Sequence, residues 1–319
     1  MTSEKSLNLL DLPKDPFELR SIILNTTAES ATLKTARYIK EHYEKIEILE
    51  TSLDFFADDL VNAAPSDGDS LAKLGLFPWI ESAREIEKAL SLIMLSLYKN
   101  SYDSLRRALE LVVVGSFFIL ESIEMEKARG WVKSSRNTPN FKRALEKLIK
   151  QDPYATCEQR CQLSEPILGL YYRLSDFIHV KGMEKSYRKL TPSVSRFNDV
   201  EALTFNEKSC KDSLDLLIET IENISIICAL TIPRLLIGFD LERKFGLNPP
   251  LSGFFEHAQA ERINLLIPDR FRPYIDDLKK NDEGIRSITK WFENLPDITD
   301  EEFTRQCEEF RKENNVDKM

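Results

Sequence analysis

Arg173 and His179 are six residues apart near the end of a helical stretch, and their types could do chemistry. A guanidinium grips an anion through two parallel N–H donors, and an imidazole changes charge near neutral pH. The surrounding segment, 171–182, reads YYRLSDFIHVKG, a set of polar residues inside an apolar helix. At about 100° per residue, Ile167, Leu170, Tyr171, Leu174, Phe177 and Ile178 make a core stripe. Leu168, Tyr172, Ser175 and His179 fall at its edge, where a polar side chain is both ordered and accessible. On an uninterrupted helix Arg173 and His179 lie about 120° apart. For the two to act together, the length of the arginine, a bend or a second copy must close that gap. The plainer reading pairs Arg173 with Asp176 at i,i+3 on the surface and leaves His179 as a cation at the helix end, where the dipole favours it.

Glu110 is the second candidate, because it opens the most apolar stretch of the chain and a carboxylate at the edge of a core needs a partner. Arg106 and Arg107 reach it at i,i+4 and i,i+3, and His179 is a possible partner across a helix interface. A structural Arg–Glu pair is the simpler account. Other chemistry is set aside on motif grounds. There is no glycine-rich phosphate loop ending in Lys-Ser or Lys-Thr, no Gly-x-Ser-x-Gly elbow, no His-Glu-x-x-His and no calcium loop. With His42, His179 and His257 as the only histidines, neither a metal centre nor a cofactor is expected. Cys157, Cys161, Cys210, Cys228 and Cys307 are odd in number and scattered, which reads as reduced thiols rather than a disulfide framework.

The spacing Arg-x5-His from Arg173 to His179 resembles the Arg-x(4–6)-His signature of HEPN domains, helical bundles found in bacterial toxins, abortive-infection proteins and other RNA-targeting defence systems. The flanking Tyr-x-x-Leu-Ser-Asp-x-x-His pattern and the preceding RRALE run at 106–110 are similar to helical bacterial proteins of that group. The resemblance covers the middle of the chain and implies a metal-independent ribonuclease. In it Arg173 would stabilise the scissile phosphate and His179 would handle the 2′-hydroxyl or leaving-group proton. The helix pattern itself, apart from the resemblance, adds Tyr172, Ser175, Asp176, Glu110, Arg106 and Arg107 as supporting residues. The resemblance also implies a homodimer, since such sites are shared across two copies. Leu174 departs from the pattern, because the position after the arginine is commonly polar in the nucleases. The alternative is a noncatalytic helical adaptor whose HEPN-like core dimerises or binds a protein partner.

The elements that must position these residues read as helices throughout. From 30 to 64, apolar residues step by three or four, predicting one long amphipathic helix that ends in the PSDGDS turn. A link through Pro78 leads to a helix over 80–98, a break at Asn100 and Ser101, and a third helix over 102–126. Its 111–120 stretch is apolar on all sides and marks the centre of the fold. A polar loop at 134–139 precedes a helix over 141–150, and Asp152-Pro153 opens the region leading to the helix that ends at His179. The polar run 184–211 reads as a long connection. Helix returns over 213–244 with a break at Pro233, and Asn248-Pro-Pro marks a boundary before short charged helices, including 282–294 and 300–314. The expected fold is all-α, a multi-helix bundle with an N-terminal region 1–99, a HEPN-like core 100–247 and a C-terminal region 248–319.

Composition agrees with an ordinary globular chain, at 42% hydrophobic and 30% charged with ten glycines in 319 residues. The net charge of −9 argues against broad adhesion to nucleic acid, although it leaves room for a local basic patch. Neither 111–120 nor 224–232 approaches the ~20 apolar residues of a membrane span. With no basic-then-apolar leader at the N-terminus, a cytoplasmic protein is expected.

Overall fold

In a computed structural model, which describes residues 16–60, 71–120, 129–131, 133–178, 203–247 and 254–313, the chain is an all-α multi-helix bundle. In order come α1 (Pro16–His42), α2 (Ile46–Asp54, continued by a π turn Phe55–Asp59), α3 (Leu71–Met94), α4 (Tyr98–Leu120), α5 (Phe141–Leu148), α6 (Tyr154–Cys161) and α7 (Ser164–Ile178). Then follow α8 (Glu207–Thr231), a 3-10 turn Pro233–Leu236, α9 (Leu241–Phe245), α10 (His257–Leu266), α11 (Arg272–Asn281), α12 (Glu283–Glu293) and α13 (Asp300–Glu313). Among the described residues no helix is long and apolar enough to cross a membrane. The only β pairing among them is a single bridge between Gly238 and Phe255.

Helix α4 is the hub, packed against α3, α5, α7 and α8. Its residues 112–118 are buried without interruption, as the all-round apolar run predicts. Helix α8 behaves likewise from Asn223 to Thr231. Small residues let the hub approach its neighbours closely: Ala83 and Ala89 of α3 and Ala108 of α4 are all buried. The buried polar groups bind across the helices. Ser82 Oγ donates to Ala108 O at 2.9 Å, Trp79 Nε1 to Val112 O at 3.2 Å and Tyr154 OH to Ile227 O at 2.8 Å. Such groups cost several kcal/mol when left unpaired, so these bonds fix register as well as stability. One apolar core runs through Tyr38, Trp79, Val113, Ile227 and Ile275, drawing on all three stretches of sequence. A small second cluster, Phe239, Leu241 and Phe292, holds α9 to α12.

Several boundaries differ from the sequence pattern. The long helix read over 30–64 starts earlier, at Pro16, and breaks at 43–45. There Tyr43 turns into the core and its hydroxyl donates to Asp215 at 3.2 Å. Pro78 lies inside α3 rather than before it, next to the fully buried Trp79. The break expected at Asn100 falls instead at Ser96, whose φ of 59° makes the left-handed turn that places Tyr98 in α4. The polar run thought to connect through 211 is already helical at Glu207, because Asn206 caps α8 by accepting from Ser209 N at 2.9 Å. Residues 184–202 and the Asn248-Pro-Pro boundary lie outside the described residues. Gly238 cannot carry a side chain, since a Cβ there would sit 2.5 Å from His257 Cα.

The large aromatics that could anchor a partner are mostly interior: Trp79, Phe255 and Phe271 are buried and Trp131 is half-buried against Phe118. Trp291 stays exposed.

Candidate functional site

Helix α7 is set in place from its first turn. Ser164 donates from both its backbone N and its Oγ to the Glu158 carboxylate, each at 2.7 Å, after Gln162 turns the chain with φ of 52°. Ile167, Leu170 and Leu174 of the expected core stripe are then fully buried, and Tyr171 is half-buried. Ser175 is deeper than an edge position: it is buried, and its hydroxyl donates to Tyr171 O at 2.7 Å. Tyr172 is exposed, with Lys142 Nζ of α5 4.7 Å from its ring centre. Asp176 is half-buried. His179, together with the side chains of Phe177 and Ile178, lies outside the described residues.

Arg173 is half exposed and forms an ion pair with Glu219 of α8. This corrects the expected pairing with Asp176. The helix turn carries Arg173 towards α8 while Tyr171, two residues earlier, faces α4 and α5. The polar groups of the segment therefore serve two different interfaces.

Tyr171 organises the α4 side. Arg106 Nη2 donates to its hydroxyl at 3.2 Å, and the guanidinium lies 5.2 Å from the ring centre. Phe141 of α5 stacks on the ring at 4.2 Å with planes 13° apart. The same arginine donates from Nε to Glu110 Oε1 at 3.1 Å, forming the expected Arg106–Glu110 pair. Burial opposes the charge on Arg106, but Glu110 and the Tyr171 hydroxyl hold it, so its pKa is raised. Arg107 does not join this pair. It turns outward to Asp103, a turn earlier on the same helix.

The α8 edge beside Arg173 is acidic. Burial pushes the Glu222 carboxyl up; Lys45 counters this, while Glu219 and Asp269 add to it. A carboxyl with a raised folded pKa weighs against the fold once pH exceeds the unfolded value near ~4.3. Glu222→Gln is therefore expected to raise the melting temperature at pH 7 and to leave it unchanged near pH 3, where the acid is protonated in both states. A lower melting temperature at pH 7 would show that the charge is compensated.

Among the described residues no group of three His, Cys, Asp or Glu side chains could hold a metal ion. Cys157 and Cys161 lie on one helix, and burial pushes the Cys157 thiol up to about 12, which makes it a poor nucleophile. Sequence reasoning missed Glu219, which lies 46 residues from Arg173 and carries no local signal. No family model matches this chain, and no curated protein or solved structure is significantly similar to it.

Proposed function

We propose that the chain is a HEPN-like helical protein of the bacterial defence type. On this reading the exposed edge of α7 works as a metal-independent ribonuclease site when a second copy completes it. The observation that supports this is the placement of Arg173: its guanidinium stands half exposed in the second half of α7, oriented by one carboxylate and with N–H donors to spare for a phosphate. His179 is the proton-transfer group in this reading. Cleavage of RNA by the purified protein in the presence of EDTA is the test. His179→Ala should lower the rate about 100-fold or more, as loss of a general acid–base group does. Its melting temperature should match that of the parent. Glu219→Gln, which frees Arg173, should tighten RNA binding. Unchanged cleavage in the His179 variant, or no cleavage by the parent, would refute the nuclease reading.

The adaptor reading has its own supporting observation. Arg173, Ser175, Arg106 and Arg107 each already bind within the bundle, as a structural segment requires. If RNA is not cleaved and Glu219→Gln only lowers stability slightly, the bundle serves to hold a protein partner.

A further inference from the structure

Between positions 129 and 150 the sequence carries seven Lys or Arg (129, 133, 136, 142, 143, 147 and 150) and one acidic residue, Glu146, in a chain of net charge −9. The fold gathers three of these cations around one concavity. Arg136, Arg143 and Lys147 line a cavity of about 370 Å³ together with the amides Asn137 and Asn140, over the rings of Phe117 and Phe118. All three cations are solvent-exposed, and among the described residues neither Arg136 nor Arg143 forms an ion pair. Lys147 Nζ lies 4.9 Å from the Phe117 ring centre.

The loop that carries Arg136 is built, not slack. Gly130 O accepts from Ser135 N at 2.8 Å, from Arg136 N at 3.1 Å and from Ser135 Oγ at 2.9 Å. Trp131 Nε1 donates to Thr138 Oγ1 at 3.1 Å, and its ring leans on Phe118. The Arg136 stem lies across Gly130, so that a Cβ there would meet Arg136 Cδ at 3.0 Å and Cγ at 3.1 Å. Asn140 caps α5 by accepting from Arg143 N at 3.3 Å, and the positive end of that helix opens on the same cavity.

We propose that this cavity binds the phosphate group of a nucleotide, free or within a strand, independently of any chemistry at Arg173. Two exposed guanidiniums that line one cavity suit the bidentate oxygens of a phosphate, and the amide donors complete its hydrogen bonds. A pocket of this size holds a compact anion with a flat base rather than a folded protein surface.

Calorimetric titration of the full chain with inorganic phosphate, adenosine monophosphate and an oligouridylate of about 12 nucleotides tests the proposal. At low salt at least one should bind, with affinity falling steeply as salt is added. Binding of the mononucleotide, with or without inorganic phosphate, assigns the site to a terminal phosphate group, and binding of the oligomer alone assigns it to the diester backbone. Arg136→Glu with Arg143→Glu should weaken binding by about tenfold or more, with the melting temperature unchanged, whereas Lys88→Glu on α3 should not. Gly130→Ala, which displaces the Arg136 stem without touching its charge, should give a smaller loss. The proposal is overturned by absence of binding. Insensitivity to the double charge reversal, or equal affinity for oligoglutamate, also overturns it.

Discussion

Arg262→Ala is expected to destabilise the protein by about 3–5 kcal/mol, because it strands a buried carboxylate. The Asp59 side chain is fully buried in the π turn that ends α2. It accepts from Arg262 Nε and Nη2, each at 2.7 Å, and from Gln259 Nε2 at 3.1 Å. Arg262 keeps part of its surface in water, so it supplies a charge without full desolvation. The bond to Asp59 and its charge raise the arginine's pKa, against the burial that opposes it. Without Arg262, Asp59 keeps one neutral donor. Domains are stable by only about 5–15 kcal/mol, so the loss would be visible in any urea or thermal melt. Arg262→Lys retains the charge but not the fork and should fall between. Adding Asp59→Leu to Arg262→Ala should recover part of the loss, since the stranded charge is then gone. A loss under about 1 kcal/mol for the single variant would mean that water reaches Asp59.

Lys244→Met should cost about 2–4 kcal/mol, and the cost should be local. The lysine side chain is nearly completely buried, and its ammonium donates to Glu293 O at 3.3 Å, Leu295 O at 2.6 Å and Asp297 Oδ1 at 2.6 Å. Methionine fills the stem's space and makes none of these bonds. The segment so released, α12 with α13 after it, meets α9 through the small apolar cluster of Phe239, Leu241 and Phe292, apart from the main core. Hydrogen exchange should therefore speed up in α12 and α13 and stay unchanged in α4 and α8. Equal acceleration everywhere would show that the C-terminal helices do not open as a unit. Acid should act at the same place. Hydrogen bonds from Lys244 and Arg243 hold the Asp297 carboxyl below its usual value, so its contribution is present above ~pH 4 and lost as pH falls through the lowered value.

Local patterns made much of this fold legible in the sequence. Helices α12 and α13 lie within a residue of the charged, periodic segments read at 282–294 and 300–314, because caps such as Asp282 and the apolar spacing are both local. Helix α4 was located by an apolar run that only a central helix needs. Distant contacts hid the rest. The break after α1 depends on Tyr43 meeting Asp215, and no residue near 43 announces it. The proline in α3 is tolerated where Trp79 is buried against α4, a cost and compensation written on two helices. At the site, Arg106–Glu110 was legible because its partners are one turn apart, whereas the direction of Arg173 was decided by Glu219 on another helix.

Tyr171 is bonded to Arg106, stacked on Phe141 and followed by the tyrosine that Lys142 covers, so one ring sets how the cationic helix α5 leans on α7. Substitutions at 106, 141 and 171 will consequently not add: part of what Arg106 and Phe141 contribute goes with the ring, the rest being the Glu110 pair and the core packing of Phe141, and a double-mutant cycle should return a coupling on the order of 0.5–3 kcal/mol. What a substitution costs at any one of these three positions therefore depends on which residues stand at the other two.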